Sequence, residues 1–140
     1  MGIKLGFSIP PNTVGAGLRI NHSGLIIINE YAKIGEFCDL HQGVNIGYSP
    51  SSIHEKYNKE NVPKIGNCVF IGPGAKIFGG INIADNVIIG AGAVVNKSFY
   101  ERGSTIAGNP AKIVSRKYQD ESWTQARAFN YKRIEGINDK

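Results

Sequence analysis

The sequence has 140 residues, a length that suits a single domain. Only 19 % of the residues are charged and 18 are glycine, well above the usual ~7 % for glycine, so many tight turns are expected. Ile and Val recur at regular places, which excludes a disordered chain. The net charge of +5 is compatible with a polyanionic partner. No nucleic-acid-binding motif accompanies that charge, so nucleic acid is not expected as a partner.

The N-terminal residues lack the charged segment and apolar run of a secretory signal. Gly6 stands where a myristoylation signal has Ser or Thr. The longest aliphatic run, 25–28, is far too short to span a bilayer. We therefore expect a cytoplasmic protein without a membrane span.

A repeat of six residues dominates the chain. One aliphatic residue recurs every six positions without a slip, at Ile65, Ile71, Ile77, Ile83, Ile89 and Val95. A period of six fits neither a helix nor a long strand, but it is typical of short strands separated by turns and wound around an axis. We therefore predict an all-β fold, a parallel β-helix whose aliphatic residues stack inward in columns, rather than a β-sandwich.

The repeat slips by two residues between Asn21 and Ile28, beside His22. Extra residues in a strand bend the chain and re-aim side chains, and they often accompany active sites. His41 directly follows an inward residue, and we predict that it is exposed.

The repeat is interrupted over residues 48–63 and ends near residue 114. The interruption is polar, and a loop of this length in a compact domain is usually functional or disordered. We predict a β-helix domain over 1–114 with a loop at 48–63, and a tail over 115–140. Asp120 is a candidate cap for a C-terminal helix. Cys38 and Cys68 lie in unrelated repeats and are expected to be buried free thiols.

Histidine titrates near neutral pH and is the usual general base for taking a proton from a hydroxyl group. Backbone N–H groups at glycine-rich corners can donate hydrogen bonds to an oxyanion. Of the three histidines, His22 lies at the slip, His41 in the repeat and His54 in the loop. These positions make His22 the first candidate for the base.

Several stretches carry a resemblance to a known family, in order along residues 7–114. They are Asn21-His22, Glu30, Gln42 with Val44 and Gly47, Pro63-Lys-Ile-Gly66, and Ala107-Gly-Asn-Pro-Ala-Lys-Ile-Val114. With the repeat, they resemble the hexapeptide-repeat acyltransferase superfamily and, within it, the serine acetyltransferase branch. The resemblance implies a left-handed β-helix, a homotrimer with active sites between subunits, acetyl-CoA as donor, and His22 as catalytic base. It also implies three six-residue faces, or eighteen residues, per coil. The slip makes one coil twenty residues long, so Gln42 is expected to stack near His22 in the next coil.

The resemblance also implies binding residues. The backbone of Pro73 and Ala91 would meet the pantetheine arm of acetyl-CoA, and Lys112 would approach a phosphate. Tyr48 and Lys97 complete the predicted cofactor set. The predicted acceptor site consists of Asn21, Glu30, Gln42 and His54, with the loop of a neighbouring subunit. No metal is expected.

Three departures from the branch bear on the acceptor. Phe7 replaces an Asp fifteen residues before the histidine, Asn21 replaces an Asp, and Asn61-Val62 replaces Arg-His. Because these polar groups serve serine or the histidine, serine is disfavoured as the acceptor. Small relatives that this chain resembles often O-acetylate sugars, so the resemblance implies a sugar hydroxyl in surface polysaccharide biosynthesis as the acceptor.

The alternatives are transfer to serine, transfer to the amine of a sugar, and a non-catalytic trimeric β-helix scaffold, which the loss of the Asp at Phe7 favours. A γ-type carbonic anhydrase would need three histidines around one zinc ion. His22 and His41 are nineteen residues apart and His54 lies in the loop, a spacing that does not resemble that family.

Overall fold

A computed structural model describes residues 6–20, 24–50 and 56–116. Within these ranges the chain forms fourteen strands of two to four residues, no helix, and therefore no apolar helix of membrane-spanning length. The predicted C-terminal helix lies outside the described residues.

The strands form three sheets that are the three sides of a left-handed β-helix, as predicted. The first side contains β1 (Phe7–Ser8), β3 (Ile26–Ile28), β6 (Asn45–Gly47), β9 (Lys76–Phe78) and β12 (Val94–Val95). The second contains β4 (Lys33–Ile34), β7 (Lys64–Ile65) and β10 (Asn82–Ile83). The third contains β2 (Arg19–Ile20), β5 (Asp39–Leu40), β8 (Phe70–Ile71), β11 (Ile88–Ile89), β13 (Thr105–Ala107) and β14 (Lys112–Ser115). All strand pairs are parallel except β13 with β14.

The six-residue period sets the register of the coils. Lys64 pairs with Asn82, Phe70 with Ile88 and Lys76 with Val94, so neighbouring coils are eighteen residues apart on all three sides. Each side places one aliphatic residue inward, and Ile46, Ile77 and Val95 stack in one column with no exposed surface. The core is therefore a set of columns along the axis, as the repeat predicted.

The register departs from eighteen where the sequence predicted an irregularity. Ile20 pairs with Leu40, a step of twenty residues, which confirms the slip of two. Leu40 then pairs with Ile71, a step of thirty-one, so thirteen extra residues leave the coil after β6. Val62 and Pro63 are already buried, which shows that this excursion rejoins the core just before β7.

The last coil departs from the repeat in a way that the sequence did not indicate. Ile83 pairs with Phe99 and Ile88 with Thr105, steps of sixteen and seventeen residues. The ring of Phe99, only 6 % exposed, occupies the place of an aliphatic residue on the second side. The antiparallel strand β14 then covers the free edge of β13.

The prediction that His41 is exposed was wrong, because the side chain is only 7 % exposed. Its ring packs 4.8 Å from the ring of Phe70 in the next coil. Its Nδ1 lies 2.9 Å from the carbonyl oxygen of Ile71. A carbonyl only accepts, so Nδ1 donates and carries the proton. Cys38 and Cys68 are buried thiols that form no disulfide with each other, as predicted.

Candidate active site

One corner of the β-helix, between the third and first sides, carries a line of similar turns in successive coils. Gly43, Gly74 and Gly92 occupy the same place in these turns, with φ angles of +79°, +74° and +68°. Side chains rarely adopt such angles, and a Cβ on Gly43 would lie 3.2 Å from the Cα of Gly74. We call this line the glycine corner.

The glycine corner brings together three of the predicted site residues. Gln42, Pro73 and Ala91 each directly precede one of its glycines, so they follow one another along the axis. The backbone N–H of Gly74 donates to the carbonyl of Gln42 at 2.9 Å, and that of Gly92 donates to Pro73 at 2.8 Å. No acceptor among the described residues takes the N–H of Ala91, which leaves it available to a bound carbonyl or amide.

Lys112 lies at the end of the glycine corner. It pairs with Ala107, and a Cβ on Gly90 would lie 3.1 Å from the Cβ of Ala107 in the adjacent coil. Four strand-to-strand steps separate Gln42 from Lys112, and at ~4.8 Å per step they span roughly 19 Å. The corner can therefore hold an extended ligand that carries an anionic group at one end.

The segment that contains Asn21 and His22 lies outside the described residues, as does His54. Its described neighbours, Ile20 and Gly24, flank the same corner. Ile20 pairs with Leu40, and a Cβ on Gly24 would lie 2.7 Å from the Cβ of Gln42. The chain therefore enters and leaves this segment directly beside the turn of Gln42. The contact between Gln42 and His22 stays a prediction.

A lysine that the sequence did not single out joins two turns of the glycine corner. Lys76 Nζ donates to the carbonyl of Gly43 at 2.6 Å and to that of Gly74 at 3.1 Å. Hydrogen bonds from an ammonium group are stronger than neutral ones. On the third side, the bond from His41 to Ile71 joins the strands that lead into the same two turns. These contacts fix Gln42 relative to Pro73.

Other predicted site residues lie at a different corner of the same chain. Glu30 follows β3, Tyr48 follows β6, and Lys97 follows β12, so all three lie between the first and second sides. Glu30 is exposed, and Lys97 Nζ lies 5.5 Å from the ring centre of Phe99. Within one chain these residues are separated from the glycine corner by the whole width of the first side.

Two of the departures noted in the sequence fall on described residues. Phe7 pairs with Ile26 and packs against the core, where the resemblance expects an acid. Val62 has no exposed surface, where the resemblance expects a histidine. Both positions are therefore apolar parts of this structure rather than polar ligand contacts.

Comparison with known proteins agrees with this geometry. Residues 63–97 match the family described as bacterial transferase hexapeptide (six repeats). The chain is thus a left-handed β-helix protein that carries the bacterial transferase hexapeptide repeat.

Among curated proteins, the serine acetyltransferase of Synechococcus elongatus is 34 % identical over 107 residues, which cover 76 % of this chain and 41 % of the relative. That of Helicobacter pylori is 37 % identical over 112 residues, which cover 79 % and 62 %. The solved structure of Neisseria gonorrhoeae serine acetyltransferase aligns with a TM-score of 0.67 at 33 % identity and covers 81 % of this chain and 42 % of that one. This chain spans about half the length of these relatives.

Proposed function

We propose that this protein transfers an acetyl group from acetyl-CoA to a hydroxyl group of a small acceptor, with His22 as the general base. The observation that carries the proposal is the glycine corner, on which Gln42, Pro73 and Ala91 follow one another toward Lys112. The described neighbours of His22 flank the same corner. The names of the relatives support the same reaction class.

In the proposed reaction, His22 takes the proton of the acceptor hydroxyl while its oxygen attacks the thioester carbonyl. The tetrahedral intermediate collapses, the carbon–sulfur bond breaks, and the imidazolium returns the proton to the leaving thiolate. The pantetheine arm lies along the glycine corner and accepts a hydrogen bond from the backbone N–H of Ala91. Lys112 pairs with a phosphate. The proposed chemistry needs no metal, and the location that we propose for the protein is the cytoplasm.

The proposed enzyme is a homotrimer with sites between subunits. Glu30, Tyr48 and Lys97 lie at a different corner from Gln42 in one chain, so a site that uses both sets needs a second chain. In a closed ring of three β-helices, one corner of each subunit faces a different corner of its neighbour. The neighbour would then supply Glu30, Tyr48 and Lys97 to the glycine corner.

A sugar hydroxyl in surface polysaccharide biosynthesis is the acceptor that we propose. Phe7, Asn21 and Val62 lack the charged or imidazole groups with which the serine acetyltransferase branch is expected to bind serine or orient its base. Val62 is fully buried, and its side chain carries no polar group. Serine is the alternative acceptor, and the names of the relatives support it.

Purified protein with acetyl-CoA is expected to release free thiol in the presence of a sugar acceptor and not with serine. The panel contains serine, amino sugars, nucleotide sugars and short oligosaccharides, and release is followed with a thiol reagent. Thiol release with serine alone would support the transferase activity but contradict the assignment of a sugar as the acceptor. No release, together with no binding of acetyl-CoA by calorimetry, would favour the non-catalytic scaffold.

Replacement of Lys112 by alanine is expected to weaken acetyl-CoA binding about tenfold, because one charge-assisted hydrogen bond to phosphate is lost from an exposed site. The kcat at saturating acetyl-CoA should stay near that of the wild type. Lys112→Arg, which keeps the charge, is the matched control and should retain most of the affinity. Calorimetry measures both variants, and an unchanged Kd in Lys112→Ala would contradict the phosphate contact.

A further inference from the structure

Three tyrosines form a shelf at the corner between the first and second sides. The ring centres of Tyr48 and Tyr57 are 4.6 Å apart, and those of Tyr31 and Tyr57 are 6.3 Å apart. Tyr48 packs partly against the core, whereas Tyr57 belongs to the excursion that leaves β6. We call Tyr31, Tyr48 and Tyr57 the tyrosine shelf.

Two rings of the tyrosine shelf, those of Tyr31 and Tyr57, are exposed to solvent. Tyr57 is 56 % exposed and Tyr31 is 40 % exposed, so both keep large ring surfaces in contact with solvent. Contacts between aromatic rings favour offset or tilted arrangements, and the 33° and 49° angles between these rings fit that preference. A cluster of aromatic rings that contact one another but stay exposed is typical of a surface that binds a ligand.

Charged side chains surround a shallow recess beside the tyrosine shelf. The recess has a volume of about 210 Å³ and is lined by Tyr31, Lys33, Lys59, Glu60 and Lys64. Lys59 Nζ lies 6.0 Å from the ring centre of Tyr31, and Lys64 lies 3.7 Å from the carboxylate of Glu60. Three ammonium groups against one carboxylate leave the recess with an excess of positive charge.

This combination fits a particular chemical class. A pyranose ring has a face of C–H groups that packs on an aromatic ring, and a rim of hydroxyls that exchange hydrogen bonds with Lys and Glu side chains. A carboxylate or phosphate substituent would pair with the excess ammonium groups. A free amino acid such as serine has no apolar face of comparable size to cover a tyrosine ring.

We propose that Tyr31 and Tyr57 of the tyrosine shelf, with the recess beside them, bind an acidic saccharide, one that carries a carboxylate or phosphate group, and hold it as the acceptor, while Tyr48 packs behind Tyr57. This inference rests on the proposed acetyl transfer, because it assigns the acceptor class of that reaction. Tyr31 and Tyr57 then select a saccharide as the acceptor, and Lys59 selects one that carries a negative charge.

The test measures saccharide binding to the full chain by calorimetry, with no acetyl-CoA present. The probes are a uronic acid oligosaccharide, a neutral glucose oligosaccharide of the same length, and uridine monophosphate. Tyr57→Ala should weaken binding of the acidic oligosaccharide at least about tenfold, since it removes one stacked ring. Tyr57→Phe should retain that binding, and Tyr100→Ala, which changes another highly exposed tyrosine, should leave it unchanged.

The variant His22→Ala separates this proposal from the proposed reaction. His22→Ala could bind the acidic saccharide like the wild type while neither protein transfers acetyl groups. That result would support the saccharide site and contradict the proposed reaction. No saccharide binding, equal binding of the neutral oligosaccharide, or binding of uridine monophosphate alone would overturn the acidic saccharide site. A lower oligomeric state of folded Tyr57→Ala in light scattering would also overturn it, because the loss of saccharide binding would then follow from the loss of the subunit contact rather than from the loss of a stacked ring.

Discussion

Replacement of His22 by alanine is expected to lower kcat roughly 10²–10⁴-fold, the usual effect of removing a general base. The hydroxyl oxygen of an alcohol is a poor nucleophile until its proton is taken, and Asn21 beside His22 is not basic enough to take it. Binding of acetyl-CoA should be unaltered, because the predicted cofactor contacts at Pro73, Ala91 and Lys112 belong to other coils. Turnover at saturating acetyl-CoA and acceptor, with calorimetry for the cofactor, measures both effects.

His54→Ala is the matched control for this experiment. His54 is predicted to contact the acceptor, so its loss should raise the KM for the acceptor and change kcat far less than the loss of His22. Turnover of His22→Ala within a few-fold of the wild type would assign the base to another group. A loss of acetyl-CoA binding in His22→Ala would instead indicate a role in cofactor binding.

Ile28→Ala is expected to lower the free energy of unfolding by about 2–5 kcal/mol. Ile28 is 2 % exposed and stacks on Ile46, which has no exposed surface. Its removal would leave a cavity at the inner column of the first side, and stacked coils cannot close such a gap without shifting their strand pairing. Urea unfolding followed by circular dichroism measures the loss.

The neighbouring residue supplies the control. Ile27 lies on the same strand but faces outward and is 37 % exposed, so Ile27→Ala should cost less than about 1 kcal/mol. The two variants remove the same atoms from adjacent positions and differ mainly in burial. Equal losses in both variants would contradict the assignment of Ile28 to the inner column.

The fold was predictable because it follows from a six-residue period, which is a local pattern in the sequence. One aliphatic residue every six positions determines which residue faces inward on each side, and a slip of two residues moves the register by two. The shortened last coil was not predictable, since Phe99 replaces an aliphatic residue and breaks the period. The burial of His41 was missed because it depends on the ring of Phe70, twenty-nine residues away in the sequence yet adjacent in space.

The candidate site was predictable only in part. Gln42, Pro73 and Ala91 share one phase of the repeat, so their alignment at the glycine corner follows from counting coils. The same count places Glu30 and Tyr48 at another corner, a consequence of the period that the resemblance alone did not reveal. Lys76 was missed because an outward lysine beside an inward Ile77 looks like any solvated charge, and only the carbonyls of Gly43 and Gly74 give it a partner.

The thirteen residues that leave the coil after β6 have a consequence for how this protein can change over generations. All three sides resume the same pairing after the excursion, so its length does not alter the stacking of any strand. Doubling a flexible loop costs only ~0.6 kcal/mol of closure entropy. Mutations, insertions and deletions in the excursion, which carries Tyr57 and Lys59, can therefore be selected while the glycine corner is inherited unchanged. A lineage with this architecture can acquire a new ligand preference through one surface segment and keep the rest of its molecule.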